Sequence, residues 1–328
     1  MSNPPLRVGV VAIGRNEGPR LEKCLDSLRL QGVKVVYVDS GSTDGSVAAA
    51  RTRDADVVLL DMNTPFTAAR ARNAGFERLR QTSPDLAYIQ FVDGDCEIAA
   101  TWLPLAAAYL ASHGDVAVVS GRRRERHPER SVFNLMCDLE WNTPVGEARY
   151  CGGDALMRIG AYAQVGGFRA DLIAGEEPEL CVRLRAAGWR IWRLDAEMTL
   201  HDADMTRFSQ WWIRTLRTGY AFAQGAALHG APPERHWMRE ARSARVWGGM
   251  IPAMVLVLFL IRWEWSLLLL CAYPLQVAHI ALKGGGAARE NWLHAVFLVL
   301  GKFPEALGQV KFLWRSVSGG PARLIEYK

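Results

Sequence analysis

The chain has 328 residues, half of them hydrophobic and 22% charged, with 30 glycines and 15 prolines spread along its length. That composition excludes a disordered, collagen-like or coiled-coil chain, and the length suits one large α/β domain with an appendage, since single cores stop growing near ~250 to 300 residues. The 39 Lys and Arg against 34 Asp and Glu leave a net charge of +5, an excess that suits anionic small molecules or a membrane surface and falls short of a nucleic-acid-binding signature.

No cleavable leader is expected. After Met-Ser-Asn-Pro-Pro the run Val8 to Ile13 is too short and too β-branched for one and reads as a first strand. The six cysteines show no CxxC pair and no histidine at metal spacing, so a reduced, cytosol-facing compartment is expected and a zinc site is not. In chain order, VGVVAI (8–13), VVYV (35–38), VVLL (57–60), YIQFV (88–92) and VAVVS (116–120) are the expected strands. Between them, helices are expected from Leu21 to Leu30, Ala68 to Arg80 and Trp102 to Ser112. Strands alternating with helices imply an α/β fold with a mostly parallel sheet sandwiched by helices, and such sheets bind ligands at the carboxyl ends of their strands. Glu17, Asp39 and the pair Asp93 and Asp95 follow the first, second and fourth strands. One acidic loop is ordinary turn chemistry; three on the same sheet edge point to a site.

The C-terminal third changes character. Val246 to Ile261 and Leu267 to Leu282 are nearly uncharged runs joined by Arg262, Trp263, Glu264 and Trp265. As helices each would be roughly 24 Å long, short of a hydrocarbon core of ~30 Å. Three readings stay open: a tight transmembrane hairpin, a re-entrant hairpin dipping into one leaflet, or buried soluble helices. Arg235, Arg239, Arg242 and Arg245 precede the runs and Lys283 and Arg289 follow them, which places both ends on the cytoplasmic side by the positive-inside rule. Eight of the 12 tryptophans lie beyond residue 210, the bias expected at a headgroup boundary. Asn291 to Val317 reads as an amphipathic surface helix broken near Pro304.

The segment YIQFVDGDCEI (88–98) carries the chemistry. A buried strand runs into Asp93-Gly94-Asp95, two carboxylates around one small residue, able to approach a single cation. Hard oxygen ligands with open positions suit Mg²⁺ or Mn²⁺. The basic stretch RRRERHPER (122–130) has two readings, contact with a phosphate or solvated surface, and mostly solvated surface is the expectation.

Taken in order, VGVVAIGRNEG, VVYVDSGSTDGS, ARARNAGF, FVDGDCEI, GGDALMRIGAYAQVGGF and GEEPELCVRLRAAGWRI resemble the family-2 glycosyltransferases of GT-A fold over roughly residues 6 to 202. The resemblance implies a nucleotide-diphospho-sugar donor, a divalent cation (Mn²⁺ or Mg²⁺) bridging the D-x-D motif to the diphosphate, and a later carboxylate as base for inverting transfer. It implies that Glu17 and Asp39 contact ribose and base, that Asn73 lines the nucleotide pocket, and that Asp93 touches the ribose side and Asp95 the metal. Asp93 and His201 are the further metal candidates, and a merely buried His201 is the other reading of that residue. Glu177 falls where the family more often has Asp, so either Glu176 or Glu177 is the implied base; the other account of the two acids is favourable charge at a helix N-terminus. Asp154 sits where relatives often carry Asn in an acceptor- or sugar-facing loop. The string Gln210 to Arg214 does not match the Q-x-x-R-W signature of processive synthases, which favours transfer of one sugar per encounter.

The expected organisation is a catalytic domain over residues 1–205, amphipathic linker helices over 206–245, a hydrophobic hairpin over 246–282 and an amphipathic segment over 283–328. The expected activity is metal-dependent inverting transfer to a lipid-linked or glycan acceptor at the cytoplasmic face of the inner membrane, with no nucleic-acid partner. Two alternatives remain: a sugar nucleotidyltransferase, for which GRNEGPR is a poor version of the usual loop, and a non-catalytic nucleotide-sugar-binding module.

Overall fold

A computed structural model describes residues 7–284 and 288–319; the parts of the expected segments at 1–6, 285–287 and 320–328 lie outside them. The chain divides between Asp204 and Met205 into two compact units.

The first unit runs β1 Val8–Gly14, α1 Pro19–Arg29, β2 Lys34–Asp39, α2 Ser46–Thr52, β3 Asp56–Leu59, α3 Ala68–Thr82, β4 Tyr88–Asp93, β5 Cys96–Ile98, α4 Trp102–Ser112, β6 Val116–Glu125, α5 Val132–Glu140, β7 Gly146–Glu147, β8 Ala155–Arg158, α6 Ile159–Gln164, α7 Glu176–Ala186 and β9 Arg190–His201. All five expected strands and three expected helices are present, with α4 at its expected bounds. The strands form one sheet in the order β3-β2-β1-β4-β8-β6-β9-β5, with β7 on β9. The half from β3 to β4 is parallel. Beyond it the sheet is mixed, because β8 enters antiparallel between β4 and β6.

Both faces of the sheet are covered, which explains the near-continuous apolar runs of its strands. Along β1, Val10 and Ala12 join Leu21, Leu25 and Leu28 of α1 and Trp102, Leu103 and Leu110 of α4. Alternation sends Val11 and Ile13 to the other face, against Ala69, Phe76 and Leu79 of α3 and Leu180 and Leu184 of α7. Gln90, on the central strand β4, is one of the polar residues buried with this core. Gln90 accepts from the Trp102 indole N–H at 2.8 Å and donates to the Phe91 carbonyl at 2.7 Å, so its amide is satisfied where an unpaired one would be costly.

The register explains why the acids converge. Gly14 pairs with Asp39 and Ile13 with Asp93, so β1, β2 and β4 end level, with β1 between its two neighbours at the point where the strand order reverses. In open α/β sheets the ligand-binding crevice lies at such a point.

The second unit runs α8 Phe208–His229, α9 Met238–Arg245, a π-helical turn Val246–Met250, α10 Ile251–Ile261, α11 Trp263–Leu270, α12 Ala272–Lys283, α13 Arg289–Leu300 and α14 Lys302–Ser318. Residues Met238–Ile261 and Trp263–Lys283 form two helices long and apolar enough to cross a membrane, by length and composition. Only 6% and 11% of their apolar windows are buried, so among the described residues they are not core helices. Helices α8 and α14 cross in close contact at glycines: a Cβ on Gly219 would lie 2.1 Å from the Glu305 carbonyl oxygen, and one on Gly308 2.0 Å from that of Leu216. The break expected near Pro304 falls at Gly301; Pro304 sits in the first turn of α14, where its missing N–H costs nothing.

Candidate active site

The rim of the first unit is built from the ends of β1, β2, β4, β6 and β9 and the start of α7. Asp39 closes its own loop: its Oδ2 accepts from the Gly41 and Ser42 N–H at 3.0 and 2.8 Å, and its Oδ1 from the Tyr37 hydroxyl at 3.2 Å. Glu17 pairs with Arg20 at 2.8 Å. Between the two aspartates, a Cβ on Gly94 would lie 3.1 Å from the Ile13 carbonyl oxygen, so the small residue serves the seating of the loop on β1.

Asp93 and Asp95 face different surroundings. Asp93 lies between two guanidinium groups, with Oδ1 2.8 Å from Arg72 and Oδ2 3.2 Å from Arg123. Burial works against its charge, but Arg72 and Arg123 outweigh it and hold the carboxyl below its ordinary pKa. Its N–H donates to Asp154 at 3.1 Å, and the other oxygen of that fully buried carboxylate accepts from the Thr199 hydroxyl at 2.8 Å. Asp95 is brought to His201 by the antiparallel pairing of Cys96 with His201. Asp95 Oδ1 lies 3.3 Å from His201 Nε2, and the other ring nitrogen, Nδ1, lies 3.6 Å from Glu125. Burial lowers the His201 pKa, yet the Asp95 charge prevails and the net direction is upward.

Ligand atoms of Asp95, Cys96 and His201 lie within 4.8 Å of one another. One carboxylate and one imidazole with open positions fit Mn²⁺ or Mg²⁺. Burial and neighbouring carboxylates hold the Cys96 thiol far above its usual pKa, so it stays protonated and a poor third ligand. Asp93, expected beside Asp95 as a ligand, stands outside this group and spends both oxygens on arginine.

The adjacent acids of α7 part company. Glu176 Oε1 binds the buried Arg72 at 2.8 Å, completing a carboxylate–guanidinium–carboxylate row with Asp93. Glu177 turns to the 151–153 loop, where its Oε1 accepts from the Cys151 and Gly152 N–H at 2.9 and 2.8 Å. Burial raises its pKa despite those bonds. The loop itself presses on the rim: a Cβ on Gly153 would lie 3.1 Å from Arg72 and 3.2 Å from Asp93 Oδ2.

Asn73 is not brought to this cluster. Its amide donates to the Phe168 carbonyl at 2.7 Å and accepts from the Tyr162 hydroxyl at 2.6 Å and the Phe168 N–H at 3.0 Å, tying α3 to the loop after α6. The basic stretch is also not the solvated surface its composition suggests, because β6 runs on to Glu125 and carries Arg122, buried, and Arg123 inward. Arg123 lies 4.7 Å above the Trp141 ring, which meets His201 edge-on at 4.7 Å. Arg72, Arg123 and Trp141 are the rim residues that sequence patterns missed. The signal for Arg123 was the unbroken continuation of the VAVVS strand; Arg72 and Trp141 had none.

Residues 10–163 match the family model described as glycosyl transferase family 2. The succinoglycan biosynthesis protein ExoA of Rhizobium meliloti is 30% identical over 199 residues, 55% of this chain and 58% of its own length. The N-acetylglucosaminyl-diphospho-decaprenol L-rhamnosyltransferase of Mycobacterium tuberculosis is 27% identical over 237 residues, 60% of this chain and 76% of its own. The chain spans 58%, 63% and 48% of the lengths of the first three curated relatives it matches. Among solved structures, a mannosyltransferase from Pyrobaculum calidifontis, in complex with GDP-Man and Mn²⁺, superposes with a TM-score of 0.63 at 20% identity, over 94% of this chain and 87% of that one. That likeness is one of fold, the GT-A fold.

Proposed function

From the match of residues 10–163 to glycosyl transferase family 2, we propose that this chain is a transferase of that family and moves one sugar from a nucleotide-diphospho-sugar to a hydroxyl of a membrane-held acceptor, with inversion at the anomeric carbon. The observation that carries the reading is the convergence, on one sheet edge, of the Asp95–His201 pair, the arginine-bound Asp93 and a raised-pKa carboxylate on Glu177.

In this reading Glu17 and Asp39 border the ribose and base at the ends of β1 and β2, and Asp93, kept ionised by Arg72 and Arg123, offers acceptor oxygens on the ribose side. Asp95 and His201 are the residues that would hold a divalent cation, whose charge would neutralise the departing diphosphate. Glu177 is the base. Its Oε1 is fixed by two backbone N–H groups, which leaves Oε2 for the acceptor hydroxyl, and burial, which raises its pKa, makes it a stronger base than an ordinary carboxylate. As the acceptor oxygen bonds to the anomeric carbon, its proton passes to Glu177 and the bond from that carbon to the diphosphate oxygen breaks. Glu176 is committed to Arg72 and acts as a positioning residue for Asp93.

The acceptor is proposed to be lipid-linked. The two exposed apolar helices, the preceding arginines and the relative named for a diphospho-decaprenol substrate support this. Both hairpin ends then lie on the cytoplasmic face.

The test is product analysis with a panel of nucleotide sugars in the presence of Mn²⁺. Release of nucleoside diphosphate with a glycosylated lipid supports the reading; release of pyrophosphate would assign a nucleotidyltransferase instead, and binding without turnover a non-catalytic module.

A further inference from the structure

Strand β6 sends Arg123 to the catalytic rim, and alternation turns Arg122 and Arg124 to the opposite face. There the pairing with β9 slips: Ser120 faces Arg193, but Arg122 faces Glu197, so residues 194–196 of β9 bulge out of register. Bulges of this kind re-aim side chains beside active sites. This one borders a cavity of about 300 Å³ lined by Arg122, Arg124, Arg193, Asn142 and Thr143, with Asp195 and Glu197 at the bulge.

The charges around it are unequally matched. Arg122 is held by Asp138 at 2.8 Å, and Arg124 by both oxygens of Glu197 at 2.8 and 2.7 Å. Arg193 is different. Only 4% exposed, it meets no carboxylate within ion-pair distance among the described residues. Its Nη1 donates to the Leu194 carbonyl at 3.0 Å, and its buried Nε has no partner. Burial first, and then the neighbouring Arg122, push its pKa down and outweigh the opposing charges of Asp195 and Glu197. A buried guanidinium left with one neutral hydrogen bond is costly to keep, and an anion in the cavity would remove that cost.

We propose that this cavity binds a phosphate-class oxyanion, with Arg193 as its principal donor and Arg122, Arg124, Asn142 and Thr143 around it. The planar fork of Arg193 suits two oxygens of one phosphate. The oxyanion is either free phosphate or a phosphate group borne by a lipid. The site faces away from the D-x-D rim but is linked to it, since Asp138, which holds Arg122, also accepts the N–H of Glu125 at 2.9 Å, and Glu125 faces His201. It stands independently of the transferase reading, because binding is measured without turnover.

The experiment is thermal unfolding of the detergent-solubilised full chain in metal-free chloride buffer, titrated with inorganic phosphate. The wild type is expected to show a saturable rise in melting temperature, as ligand binding to the folded state requires. Arg193→Met removes an unpaired buried charge, so it is expected to melt no lower than wild type without phosphate and to lose the phosphate response. Arg193→Lys keeps the charge but loses the fork and is expected to bind phosphate about tenfold more weakly, the equivalent of one charge-assisted hydrogen bond. A wild type indifferent to phosphate, or Arg193 variants that respond as wild type does, would overturn the proposal. Phosphatidylcholine vesicles with and without a polyprenyl phosphate separate the two sources. Displacement of inorganic phosphate only by the loaded vesicles assigns the lipid-borne group, and no displacement assigns free phosphate.

Discussion

Replacing Glu177 by glutamine separates the two tasks of its side chain. The carbonyl oxygen of a glutamine can still accept from the Cys151 and Gly152 N–H groups that now hold Oε1 at 2.9 and 2.8 Å, so the 151–153 loop keeps its anchor. What disappears is the capacity to take a proton, worth ~10²- to 10⁴-fold in rate for a general base, or about 3–5 kcal/mol of barrier. Stability should move little, and in a definite direction. Burial is the main cause holding the Glu177 pKa above its ordinary value, so the native state binds this proton more tightly than the unfolded chain. Ionising Glu177 therefore destabilises the fold as pH rises from the ordinary carboxylate range through the raised value, and the neutral glutamine escapes that penalty. At pH 7 Glu177→Gln should melt at or above the wild-type temperature while nucleoside diphosphate release falls by the factor given. Glu176→Gln should behave in the opposite way, because it strips one of two carboxylates from the buried Arg72 and costs about 3 kcal/mol of stability. Wild-type turnover in Glu177→Gln, or a stable and inactive Glu176→Gln, would show that the base has been placed on the wrong glutamate.

Other perturbations have equally definite signs. The acid limb of the transfer rate should inflect above the ordinary glutamate pKa of about 4.3, because Glu177 must be ionised to act and its pKa is raised; an inflection at or below that value counts against it. The His201 pKa is also raised, mainly by Asp95 against the pull of burial. Its contribution to stability is thus complete below about pH 6.5 and lost as pH rises through the folded value, so in chelator the melting gap between wild type and His201→Asn should shrink toward alkaline pH. Gln90→Leu leaves the buried Trp102 indole N–H without its acceptor and should cost about 1–3 kcal/mol in denaturant unfolding. The double variant Leu256→Arg, Leu260→Arg alters side chains 63% and 78% exposed; it should lose flotation with vesicles yet keep its melting temperature, and retained flotation would argue against hairpin insertion.

Much of the first unit was legible in the chain because strands buried on both faces leave near-continuous apolar runs, and polar residues that end such runs fall on one rim. Glu17, Asp39, Asp93 and Asp95 could therefore be singled out by position. What organises them was not legible. Arg72 and Glu176 are 104 residues apart and Arg123 and Asp93 30 apart, and no local pattern records such pairings. Neighbouring residues on a helix point about 100° apart, which is why Glu176 and Glu177, equivalent as letters, reach different partners. Short strands such as β5 and β7 owe their pairing to β9 rather than to any periodicity of their own. Asn73 sat in a suggestive motif but serves a loop tie, as polar residues beside an apolar helix face often do.

The proposed transfer turns on Asp95 and His201, which would seat the cation that makes the nucleotide a leaving group. The most direct measurement is calorimetric titration of Mn²⁺ into the full chain in the presence of a nucleoside diphosphate, for wild type and the near-isosteric Asp95→Asn, with melting curves to show that both remain folded. One cation per chain, bound more tightly as pH rises because His201 must release its proton, and lost in Asp95→Asn, is the predicted result. Equal Mn²⁺ affinity in the two proteins would contradict it.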